Sequence, residues 1–174
     1  AICARLAEAM GGTISVNSEN GKGSTFAFHV LLGITQQLPE EALYTTFDAS
    51  NKRLPKVLVV DDNVVNLLIM RKFLANLGID ADVAANGREA IDFVQRDDFD
   101  LVFMDVQMPE IDGLTATRLI RELSLSTQPF IIALTANAFE TDRERCLAAG
   151  MNDFLSKPFL FDDIKNKLSS FWQA

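Results

Sequence analysis

No stretch of 18 or more apolar residues occurs in the 174-residue chain, so nothing in it is long enough to span a bilayer as a helix. No secretory signal opens it, and Ala1 is not a natural start, so the sequence is expected to be a fragment. Basic residues are scarce: 16 Lys and Arg stand against 24 Asp and Glu, a net charge of −8. That balance argues against nucleic acid as the main partner, because neutralising phosphates takes clustered Lys and Arg. Only two cysteines are present, Cys3 and Cys146, far apart and without metal-ligand spacing. They read as reduced thiols of a cytoplasmic protein. The one histidine, His29, lies in FAFHVLL with parity opposite to Phe26 and Phe28 and no acid beside it, the pattern of an ordinary strand residue.

What is present is organised around LVFMDVQMPEIDG, residues 101 to 113. Four apolar residues run into Asp105 and then into a loop closed by Asp112-Gly113. A short apolar run bounded by turn residues reads as a strand buried on both faces. Such a strand delivers one carboxylate to the rim of a sheet, and in open parallel sheets ligands sit outside that rim.

Ahead of it, residues 2–10 carry Ile2, Leu6 and Met10 at helical spacing, ended by Gly11-Gly12. Ile14 and Val16 share one face of a short strand; Phe26, Phe28, Val30 and Leu32 share one face of another, with ENGKG as the turn. About 33 residues are too few to bury a core, so this piece is expected to be the edge of something larger. Residues 34–54 have no apolar periodicity and read as a linker.

From residue 55 strand and helix alternate. Strands are expected at 57–60, 80–85, 101–104, 129–135 and 153–156, and helices at 63–77, 88–95, after 113, at 139–149 and at the end. In the helix after 113, Ala116, Leu119, Ile120 and Leu123 share one side; the last helix carries Ile164, Leu168 and Phe171. Five βα units in about 120 residues predict a doubly wound α/β sandwich with a mainly parallel sheet.

Polar residues follow four of the strands: Asp61-Asp62, Asp105, Thr135 and Lys157. If the first and third strands are neighbours, three carboxylates converge. Like charges that close call for a cation, and an all-oxygen set suits Mg²⁺. With Thr135 and Lys157 added, the set describes a phosphoryl group held on Asp105 between a metal and a lysine. Singly, Asp61 or Asp62 could equally cap the next helix.

Two resemblances are carried by these residues. RLAEAMGG with GKGSTFAFHVLL resembles the last helix and final two strands of the ATP-binding domain of sensor histidine kinases; that family's asparagine-bearing helix, DxG box and GLGL lid do not occur in this sequence. VLVVDDN, MDVQMPEIDG, IIALTANA and AGMNDFLSKPF resemble the receiver domain of two-component response regulators, with wording like that of receivers attached to hybrid histidine kinases. This second resemblance spans residues 55 to about 172. It implies a flavodoxin-like five-stranded sheet of order 2-1-3-4-5. It implies Asp105 as phosphoacceptor, Mg²⁺ bound directly by Asp62 and Asp105 and through water by Asp61, and the Gln107 carbonyl as a further ligand. Thr135 and Lys157 would contact the phosphoryl oxygens, Thr135 and Phe154 would form a switch, and Lys157-Pro158 would be cis. With His29 set aside, the phosphohistidine donor must belong to another domain or chain: the cognate histidine-kinase core or a histidine phosphotransfer protein.

Other readings of the sheet are disfavoured. A phosphatase of the haloacid-dehalogenase type needs an acid two residues after its nucleophile, where this chain has Gln107. An FMN carrier wants a Ser/Thr/Gly-rich phosphate loop where this chain has DDNVVN, and a structural pseudo-receiver would lack part of the acid, Thr and Lys set. In the helix over 63–77 the core stripe is expected to be Ile69, Met70, Phe73, Leu74 and Leu77. Val64, Val65, Leu67 and Leu68 are left over; Leu67 can still reach the interior, and Val64, Val65 and Leu68 are expected to form an exposed docking patch beside Asp105.

Overall fold

VLVV, LVFMD and FIIALT place an apolar side chain on both faces at nearly every position, which suits strands covered by helices on both sides. In the computed structural model, which describes residues 2–33, 53–136 and 140–172, they are central strands of a five-stranded sheet. The chain separates into two compact units, Ala1–Glu40 and Glu41–Ala174.

The first unit holds α1 (Ile2–Ala9), β1 (Thr13–Glu19) and β2 (Gly23–His29). The two strands pair antiparallel with Ile14 opposite Phe28 and Val16 opposite Phe26, so these four side chains share one face. Among the described residues of this unit only Ala7 is buried; Ile2, Leu6, Phe26 and Phe28 are exposed. That agrees with a piece too small to enclose a core. His29 is exposed at the end of β2.

The second unit contains β3 (Val57–Val60), α2 (Val64–Asn76), β4 (Ala81–Ala84), α3 (Gly87–Arg96), β5 (Leu101–Asp105), α4 (Gly113–Glu122), β6 (Phe130–Thr135), α5 (Glu140–Ala148), β7 (Asp153–Ser156) and α6 (Phe161–Phe171). The sheet order is β4-β3-β5-β6-β7 and every pairing is parallel. Counted within the sheet this is 2-1-3-4-5. Leu58, Val60, Val102, Met104, Ile131 and Ala133 face a core completed by α3, α4 and α5. Val57, Val59, Leu101, Phe103, Ile132 and Leu134 face one completed by α2 and α6. A fully buried side chain such as Phe103 stabilises by about 1.5–3 kcal/mol.

Two expectations are corrected and one alternative is not taken up. The buried stripe of α2 is Leu67, Met70 and Leu74, continued by the C-cap Leu77, whereas Ile69 is 41% exposed. This helix has apolar residues on all sides, and the sheet, not the periodicity, selects which line is covered. In α4, Leu119 lies on the exposed side and Leu114, Ala116, Thr117 and Ile120 are buried. The helix cap after β3 is neither Asp61 nor Asp62: Asn63 is the N-cap, its side chain accepting from the Val65 amide at 2.9 Å. The linker expected over 34–54 lies outside the described residues except for its last two.

Candidate functional site

Because the strands are parallel and in register, their carboxyl ends share one rim. Val60 pairs with Met104, Asp105 with Leu134, and Thr135 with Ser156. The strand ends therefore bring Asp61, Asp105, Thr135 and Lys157 together. Asp61 is 1% exposed and Asp105 6%. Asp62 is exposed, yet ligand atoms of Asp61, Asp62 and Asp105 all lie within 4.8 Å of one another. Burying such a cluster is costly unless a cation joins it.

Lys157 does so from the end of β7. Its Nζ is 2.7 Å from Asp61 Oδ2 and 2.8 Å from Asp105 Oδ2. Burial pulls the Lys157 pKa down, but the hydrogen-bonded ion pairs with Asp105 and Asp61 outweigh it and leave the ammonium above its ordinary range. At Asp105 burial is the largest influence and raises the carboxyl above the usual carboxylate range. The Lys157 contact opposes that without cancelling it, and the Asp61 charge adds to it.

Asp61 is fixed by two further donors. Its Oδ1 accepts from the Asn63 backbone N–H at 2.9 Å, and the Asn66 amide Nδ2 lies 3.0 Å from Oδ1 and 3.1 Å from Oδ2. With Lys157, these contacts occupy most of the acceptor capacity of one carboxylate. Asn66 is not among the residues expected at the site. Its one signal in the sequence is the polar pair Asn63 and Asn66, three apart at the start of an otherwise apolar helix.

On the other side, the Gln107 backbone N–H donates to Asp105 Oδ1 at 3.2 Å. The loop after β5 folds back so that the Gly113 amide meets the Val106 carbonyl at 3.1 Å. A Cβ on Gly113 would stand 2.0 Å from the Asp105 carbonyl oxygen, so only glycine permits this approach. Asp112 caps α4 through Thr115 at 2.7 Å. Between this loop and α5 lies a cleft of about 570 Å³ lined by Asp62, Gln107, Thr135, Asp142 and Arg145 among others.

Phe154 is half-buried on β7 opposite Ala133, which places it on the same sheet face as Thr135, one diagonal step away. Lys157-Pro158 is cis. Val64, Val65 and Leu68 are 59–64% exposed on the opening turns of α2, and Ile69 extends the patch. A second, mainly apolar cleft of about 330 Å³ adjoins it, lined by Asn66, Ile69, Ala136, Lys157, Pro158 and Phe159. All of the expected site residues are thus described, and the rim brings the carboxylates, Thr135 and Lys157 into one place. The donor set, three carboxylates, fits a hard cation such as Mg²⁺.

A family model of the response regulator receiver domain matches residues 57–169. The chain belongs to the response regulator receiver family. Its receiver is of the kind carried by hybrid histidine kinases and serves as a phosphorelay receiver. The chain is 38% identical over 177 residues to the aerobic respiration control sensor protein ArcB of Escherichia coli, a match covering all of this chain and 22% of that protein. It is 37% identical over 179 residues to hybrid signal transduction histidine kinase K of Dictyostelium discoideum, covering 96% of this chain and 15% of the relative. The chain therefore spans less than a quarter of the length of these curated relatives. Among solved structures it resembles the receiver domain of the sensor histidine kinase PA1611 from Pseudomonas aeruginosa, which has a magnesium ion in its active-site cleft. Identity is 38% and the TM-score 0.64, over 70% of this chain and all of that one. It also resembles the complex of the Saccharomyces cerevisiae histidine phosphotransfer protein Ypd1 with the receiver domain of Ssk1, at 32% identity and TM-score 0.63, covering 69% of this chain and 91% of that one. Among the described residues no helix is long and apolar enough to cross a membrane.

Proposed function

We propose that Asp105 is the phosphoacceptor of this receiver, taking its phosphoryl group from a phosphohistidine. The observation that carries the reading is the Lys157 ammonium shared by Asp61 and Asp105 at a rim where three carboxylates converge. In the transfer, an Asp105 carboxylate oxygen forms a bond to phosphorus as the bond from phosphorus to the donor imidazole nitrogen breaks. Lys157, already at Asp105, offsets the negative charge gathered there, and the Thr135 hydroxyl stands on the same rim to bind a phosphoryl oxygen. Asn63 and Asn66 hold Asp61 in place; with its oxygens so occupied, contact with a metal through water suits Asp61 better than direct ligation. Mg²⁺, when held by Asp62, Asp105, the Gln107 carbonyl and more remotely Asp61, supplies neutralisation of the phosphoryl oxygens. An aspartyl-phosphate phosphatase on the same rim would need a general acid at position 107, and Gln107 cannot serve.

The docking partner proposed is a histidine phosphotransfer protein, seated on Val64, Val65 and Leu68. Its support is the exposure of these residues beside the rim, together with the likeness to a receiver solved with such a protein. The cognate histidine-kinase core is the other donor. Residues 1–33 are read as the end of that kinase's ATP-binding domain, residues 34–54 as a linker and 55–174 as the receiver, working in the cytoplasm. The unburied apolar face of the first unit supports this division. After incubation with Mg²⁺ and a small-molecule phosphodonor, intact mass should rise by one phosphoryl group that hydroxylamine removes. No gain, or a gain resistant to hydroxylamine, would rule out an acyl phosphate.

A further inference from the structure

Phe154 is gripped from two helices. The Arg143 guanidinium of α5 lies over its ring, 5.4 Å from the centroid, and the Lys167 ammonium of α6 lies over it at 5.2 Å. The lysine is held there by more than the ring. Asp153, the residue before Phe154, accepts the Phe154 amide at 2.8 Å and receives the Lys167 ammonium at 2.7 and 2.8 Å. One carboxylate therefore ties the strand backbone to the cation and sets that cation over the neighbouring ring. The Lys167 and Asp153 side chains are each only 25% exposed, so the contact is partly shielded from water. A cation over an aromatic face is attracted by the ring quadrupole, more strongly as it is desolvated.

We infer that Arg143 and Lys167 form a latch that holds the Phe154 ring in its resting place and so sets how readily the receiver switches. The inference rests on the reading of Thr135 and Phe154 as a coupled pair. Turning the ring toward Thr135 takes its face away from both cations, and that loss is a cost of leaving the resting state. A ligand that favours the switched state must overcome this cost, which lowers its apparent affinity. Removing a cation removes part of the cost. Asp153 is a positioning residue here, acting on the ring only through Lys167.

The test uses the whole chain with Mg²⁺ and beryllofluoride as the probe, titrated by NMR. Arg143→Gln and Lys167→Gln keep long polar side chains and remove the charges. Each should tighten apparent beryllofluoride binding about two- to fivefold, the range set by one partly exposed cation–π contact. In a Phe154→Leu background, where no ring remains to grip, the same changes should have no effect. Unchanged or weaker binding in the single variants, or equal tightening with and without the ring, overturns the latch. The parent reading fails separately: Phe154 resonances of the wild-type chain that do not respond to beryllofluoride would remove the switch itself. If they respond and the variants still bind like wild type, only the latch falls.

Discussion

Lys157 and Asp61 are 96 residues apart in sequence, yet the lysine Nζ lies 2.7 Å from Asp61 Oδ2, and the same ammonium reaches Asp105. The contact links the first and last strands of the five-strand unit in chain order across the rim, though β5 and β6 lie between them in the sheet. Lys157→Ala leaves two buried carboxylates with no ammonium between them. The metal-free protein should lose about 1–3 kcal/mol, within the penalty for an unpaired buried group. Mg²⁺ should recover more stability in this variant than in wild type. Urea unfolding with and without Mg²⁺ checks both statements.

The elevated Asp105 carboxyl gives a pH signature. Its folded-state pKa lies above the ordinary aspartate value of 3.8. The native state therefore holds the proton where the unfolded chain has released it, and this group's contribution to stability falls as pH rises from about 3.8 through the folded pKa. Asp105→Asn cannot titrate. The metal-free stability difference between variant and wild type should grow in favour of the variant across that window and level off above it. A difference independent of pH would contradict the assignment of the shift.

Gly113→Ala should destabilise by about 1–3 kcal/mol, the usual cost of forcing an extra methyl into packed atoms. The added carbon meets the Asp105 backbone carbonyl, which no side-chain rotation can relieve. Because the clash bears on the phosphoacceptor itself, phosphorylation by a small donor should slow as well. Thermal unfolding and intact mass against time measure the two effects.

Val65→Ser together with Leu68→Ser should weaken docking of a histidine phosphotransfer protein by about 2 kcal/mol, or some thirtyfold in Kd, the loss expected of central contacts. Phosphorylation by a small-molecule donor should be unchanged, since neither residue touches the rim. Equal loss with both donors would show that the opening of α2 supports the fold instead.

Strand-end chemistry is legible in the sequence because a buried parallel strand announces itself as an uninterrupted apolar run, and the residue that ends the run must stand on the rim. Asp61, Asp105 and Thr135 are found in this way, and Lys157 by its place just after the short fifth strand. What stays concealed depends on three-dimensional choice. In α2, Ile69 and Leu67 are chemically near-equivalent, and only the sheet decides that Leu67 is covered. Asn66 serves Asp61 across five residues, a spacing that belongs to a strand-to-helix corner and to no regular period. Gly113 reads as a turn residue, whereas its need for glycine comes from the carbonyl of Asp105, at the far end of the loop.

Locating the modification within the chain tests the central claim most directly. The protein would be phosphorylated with Mg²⁺ and a small-molecule donor, trapped by borohydride, which reduces an acyl phosphate to homoserine, and mapped by peptide mass spectrometry. The account predicts homoserine at position 105 alone, and none in Asp105→Asn. Homoserine at Asp61 or Asp62, or persistent labelling of the Asp105→Asn chain, would contradict it.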